Sequence, residues 1–159
     1  MELHHLQFPW FGEHCVVSYR AHGDPANLNV LLCVHGISRN ARDFDVIAEA
    51  LSDRYYVIAV DMPGRGRSDW IEDKLQYGYP LYETVAGEII SMTGVRKVDW
   101  LGTSMGGVIG MRVAAMPNSP IRRLVLNDIG PFIPAEGRRD NGRVFGLDTR
   151  FASEEEGVQ

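Results

Sequence analysis

Gly102-Thr103-Ser104-Met105-Gly106 follows the apolar run Val98 to Leu101 and precedes a helix-like pattern reaching about Met116. The five residues spell G-x-S-x-G. Where a strand turns sharply into a helix, the residue at the apex is forced into a strained backbone conformation with its side chain held up, and the residues two positions away are crowded. Gly102 and Gly106 meet that steric demand, which makes Ser104 a candidate nucleophile. From average residue usage the bare pattern should arise in roughly one chain in twenty of this length. The surrounding sequence has to carry the argument.

Working outward, three more apolar runs stand out: Val30 to Val34, Tyr56 to Val60, and Leu124 to Leu126 with flanking Ile121 and Ile129. They are short, continuous and rich in Val, Leu and Ile rather than alternating, as strands buried on both faces of a parallel sheet are. Between the first two, Phe44, Ile47, Ala48 and Leu51 recur with the spacing of one helical face within Asn40 to Ser52. Pro80 opens a segment in which Leu81, Val85, Ile89 and Met92 share another. Pro117 and Pro120 stop the helix that follows Ser104. Strand and helix alternate, so the expected fold is α/β, a mostly parallel sheet flanked by helices with right-handed crossovers. Ahead of it, Cys15 to Tyr19 predicts an antiparallel edge strand and His4 to Phe8 a second.

Composition narrows the function. At 159 residues, 45% hydrophobic and 23% charged, the chain is ordinary globular material for one core. Its net charge of -5 comes without any block of like charges, which gives nucleic acid no electrostatic footprint. No stretch approaches the length of a membrane span and the first fifteen residues lack a signal peptide's basic start, so a cytoplasmic location is expected. Cys15 and Cys33 are too few for a disulfide framework and lack metal-site spacing. Asp61 to Ser68 contains Gly64-Arg65-Gly66 but fails as a phosphate loop: Asp69 stands where a dinucleotide fingerprint needs glycine, and no Gly-Lys-Ser/Thr follows. Pro63-Gly64 instead suits the centre of a type II turn. No metal and no cofactor is expected.

Acyl transfer by a serine needs backbone N–H donors where the oxyanion develops, a base and an orienting acid. Met105, at a helix N-terminus, offers one donor. Ile37, in His35-Gly36-Ile37 after the first core strand, offers the second, while the His35 side chain reads as a strand-end residue bonded to nearby backbone.

Laid out in this way, the chain resembles the N-terminal half of an α/β-hydrolase. The resemblance rests on Val30 to Gly36, Asp61 to Ser68, Gly102 to Gly107 and Leu124 to Pro131, in that family's order, and covers about residues 15 to 133. It implies a Ser-acid-His triad and hydrolase activity, commonly on esters, with a small acyl or ester compound as substrate. It also implies that residues 1–133 form the first part of the core, truncated after the sixth strand, and that 134–159 are linker and the start of a helical cap. Asp128 has two readings: triad acid, as in family members that place it after the sixth strand, or a residue that caps the strand end. Trp70, Phe132 and Ile133 read either as apolar walls of a substrate pocket or as ordinary packing.

All five histidines precede Ser104, whereas the family order is serine, acid, histidine. A capping box, Ser153 to Glu156, announces a helix three residues before Gln159. The expectation is therefore a chain lacking its catalytic histidine, inactive alone, with a hydrophobic sixth-strand edge open to self-association. The competing expectation is a non-catalytic ligand-binding or interaction domain on the same fold.

Overall fold

The computed structural model describes residues 2–132. Ile133 and the expected linker and cap segment, 134–159, lie outside the described residues. The strands are β1 (Glu2–Trp10), β2 (Glu13–His22), β3 (Val30–Val34), β4 (Tyr56–Val60), β5 (Val98–Thr103) and β6 (Ile121–Asn127); the α-helices are α1 (Asp45–Leu51), α2 (Tyr79–Met92) and α3 (Met105–Ala114). They form one six-stranded sheet in the order β1-β2-β4-β3-β5-β6. β1 and β2 make an antiparallel hairpin, β2 is antiparallel to β4, and β4, β3, β5 and β6 run parallel.

The continuous apolar runs are explained by a two-faced core. Successive strand residues point to opposite faces. Leu32, Val34, Ile58 and Val60 join Leu81, Val85 and Ile89 of α2 and Ile109 of α3 on one side. Leu31, Cys33, Val57 and Ala59 meet Phe44 and Ala48 on the other. All five β3 residues are buried, so none of them can be polar. The Asn40–Ser52 pattern resolves into a 3-10 turn, Ala41–Phe44, capped by the Asn40 side chain, and then α1.

β6 differs from the expectation that all four apolar runs are buried on both faces. Its residues alternate between half-buried and exposed, and Val125 is 54% exposed. α3 packs on the face carrying Leu124 and Leu126, while among the described residues no helix covers the opposite face.

Candidate functional site

The site is built at the carboxyl ends of the parallel strands, where an open α/β sheet leaves a crevice. Three loops meet there. The β5–α3 connection puts Ser104 at φ 49, ψ -111, a left-handed backbone for a residue with a Cβ, and its N–H donates to Asn127 O at 3.0 Å. That strain persists because the turn is clamped on both sides. A Cβ at Gly102 would stand 2.3 Å from Gly106 O, and one at Gly106 would stand 2.0 Å from Val34 O. Trp100, fully buried in β5, donates from Nε1 to Gly106 O at 3.0 Å and fastens the first turn of α3 to the sheet.

The second loop, after β3, carries Gly36 and Ile37 past the serine. An ideal Cβ at Gly36 would lie 3.6 Å from the Ser104 Cβ. Among the described residues, neither the Ile37 N–H nor the Met105 N–H donates to an acceptor. His35 is fully buried beneath this loop, its Nδ1 donating to Gly36 O at 2.6 Å and its Nε2 accepting from Met62 N–H at 3.0 Å. Those two bonds set the neutral tautomer, and burial, the largest influence, lowers its pKa. The ring bridges two loops and does not line the cleft.

The third loop, Asp61 to Ser68, turns through Pro63-Gly64 with Arg65 N–H bonded to Met62 O at 3.0 Å and Gly64 at φ 80, as a type II turn requires. Asp61 organises it, and sequence reasoning did not single it out. Its buried carboxylate accepts from Ala41 N–H at 2.7 Å and Arg67 N–H at 3.0 Å, and its carbonyl accepts from the Ser68 hydroxyl at 2.5 Å. Gly66, at φ 55, lies so close that a Cβ would fall 2.2 Å from this carboxylate. An aspartate at a strand end followed five residues later by glycine was the available signal.

Ser104 opens into a cleft of about 410 Å³ lined by Gly36, Ile37, Arg39, Thr103 and Asp128, among others. Asp128 is thus brought to the serine, exposed and at φ 54. Next to it lies a second cleft of about 560 Å³ that shares Ile37, Ser38 and Arg39 and adds Arg65, Trp70, Lys74 and Tyr77. Trp70, though 71% exposed, is therefore a wall of this second cleft; Phe132, 80% exposed, lines neither. No described histidine lines either cleft, and no group of metal-binding side chains occurs among the described residues.

The profile of the alpha/beta hydrolase fold matches residues 29–155. The chain belongs to the α/β-hydrolase family. It is 46% identical over 142 residues to the 3-hydroxybutyrate-oligomer hydrolase of Cupriavidus necator, covering 89% of this chain and 48% of that protein. It is 27% identical over 131 residues to the serine hydrolase-like protein of Danio rerio, covering 82% of this chain and 39% of that one. Among solved structures, an alpha/beta hydrolase from Novosphingobium aromaticivorans superposes with a TM-score of 0.77 at 32% identity, over 90% of this chain and 50% of that structure. The chain spans about half the length of these relatives, or less. Membership of the α/β-hydrolase family accounts for the parallel sheet and the strand-turn-helix at Ser104. Among the described residues no helix is long and apolar enough to cross a membrane.

Proposed function

We propose that the protein containing this chain is a serine hydrolase that cleaves carboxylic esters through an acyl-enzyme, with oligomeric hydroxy-acid esters as the substrate class. The observation that carries the reading is Ser104 held at a left-handed apex on a cleft, between the two N–H groups of Ile37 and Met105 that have no described acceptor. The 46% identity to an oligomer hydrolase supports the substrate class. In this mechanism the Ser104 Oγ attacks the ester carbonyl carbon and its proton passes to a histidine lying outside this chain. The oxyanion is held by Ile37 and Met105 N–H, and each such donor contributes about 10²–10³ in rate. The alcohol leaves with that proton, and water then releases the acid from Ser104. Asp128 serves as the acid that orients the histidine. Trp70 belongs to the substrate-facing wall.

The test is labelling by a fluorophosphonate probe in protein expressed from the whole coding sequence. Labelling at Ser104, lost in Ser104→Ala with the fold retained, is the expected outcome. A folded protein that does not label would overturn the enzyme and favour the non-catalytic binding domain.

A further inference from the structure

The two clefts beside Ser104 differ in charge. The cleft that holds Ser104 also holds two carboxylates, Asp43 and Asp128. Among the described residues, the adjoining cleft is lined by three cations, Arg39, Arg65 and Lys74, and by no carboxylate. Arg39 is neutralised from its other side by Asp43, which accepts from its Nε and Nη2 at 2.9 and 2.8 Å. Arg65 and Lys74 have no carboxylate partner among the described residues.

Arg65 is the more telling of the two. Among the described residues its guanidinium donates only to neutral acceptors: Ile37 O at 2.9 Å, Pro63 O at 2.8 Å and the Tyr82 hydroxyl at 2.9 Å. The rings of Tyr77 and Tyr82 lie 6.0 and 5.6 Å from it. The side chain is half-buried and held in one place, so its charge is partly desolvated without a counter-ion, an unfavourable arrangement that an anionic ligand would relieve. Lys74, with its Nζ 5.6 Å from the Trp70 ring centre and 5.7 Å from that of Tyr77, adds a second positive charge at the aromatic end. The Arg65 bond to Ile37 O also ties this cationic loop to the loop that passes Ser104.

From this juxtaposition we propose that the cleft of Arg65, Lys74, Trp70 and Tyr77 is a specificity subsite for the free carboxylate of the substrate, so that the enzyme prefers ester acids to neutral esters. The proposal rests on the serine-hydrolase reading above. A hydroxy-acid oligoester ends in one carboxylate, and the shared residues Ile37, Ser38 and Arg39 make the two clefts continuous. The ester carbonyl therefore sits at Ser104 while the acid end reaches the cations, and Trp70 and Tyr77 flank the apolar units near that end.

The experiment compares, in protein from the whole coding sequence, kcat/KM for a linear 3-hydroxybutyrate trimer as the free acid and as its methyl ester, with p-nitrophenyl butyrate as a neutral reporter. The acid is expected to exceed the methyl ester by about tenfold, the scale of one charge-assisted contact, mostly through KM. Lys74→Glu, a change at an exposed position, lowers that ratio severalfold. Arg65→Gln brings it near one, and Arg65→Lys restores part of it. Equal cleavage of acid and methyl ester by the parent protein, or a ratio unmoved by Lys74→Glu and Arg65→Gln, would overturn the carboxylate subsite while p-nitrophenyl butyrate hydrolysis keeps the hydrolase intact. Absence of both Ser104 labelling and p-nitrophenyl butyrate hydrolysis would overturn the two together.

Discussion

The two ends of the parallel sheet treat charge and backbone in opposite ways. At the amino ends of β5 and β6, Asp99 is buried and saturated: Arg122 donates to both its oxygens at 2.8 and 3.0 Å, the Tyr55 hydroxyl donates at 3.0 Å, and Arg123 lies at 3.5 Å. The Arg122 guanidinium, the largest influence, holds the Asp99 pKa below the ordinary carboxylate range. At the carboxyl ends, Ser104 and Asp128 stand at positive φ, and among the described residues two backbone N–H groups have no acceptor and two cations have no carboxylate partner. The first end fully pairs its buried carboxylate. The other holds strain and unpaired donors where a ligand would meet them. That is the pattern expected when a fold spends its stability at one end of a sheet and keeps reactive geometry at the other.

The comparison can be broken by substitution. Asp99→Ala removes the acceptor for Arg122 and Tyr55, and chemical denaturation should show a loss of about 2 kcal/mol with fluorophosphonate labelling of Ser104 retained. Unchanged stability would remove the paired end's role. His35 sharpens the other side. Because burial lowers its pKa, the unfolded chain takes up a proton as pH falls below about 6.5 while the folded chain resists it. Its contribution is complete above that pH and is lost below it, with a slope of at most about 1.4 kcal/mol per pH unit. Denaturation at stepped pH should show this slope diminished in His35→Gln. The smallest effect is the most discriminating. Ser104→Gly relieves the left-handed apex and should stabilise the fold by about 1 kcal/mol while abolishing labelling. A destabilised Ser104→Gly would mean that no strain is stored at the elbow.

Much of this was legible in the chain. The continuous runs Val30 to Val34 and Tyr56 to Val60 read as strands covered on both sides, and Gly102 and Gly106 around Ser104 encode a crowded turn, because these signals depend on local sterics and burial. Leu124 to Leu126 misled as a doubly buried strand, since composition cannot say which neighbour covers each face. Asp61 was hidden inside a motif read only for its glycines, and its partners Ala41 and Arg67 come from separate segments. The charge of the second cleft was equally hidden. Arg39 follows β3 whereas Arg65 and Lys74 lie far apart in the β4–α2 connection, and their sum is a property of the surface they line.

By itself the sequence determined the order of strands and helices, the α/β class and the serine at the apex, because each follows from periodicity and from the space a glycine leaves. Only the tertiary structure decided that Asp128 shares a cleft with Ser104, that His35 is a buried bridge between loops, and that three cations face one cleft. Those facts depend on which loops the sheet brings together at one end, and that follows from the strand order β4-β3-β5-β6 rather than from any local run of residues.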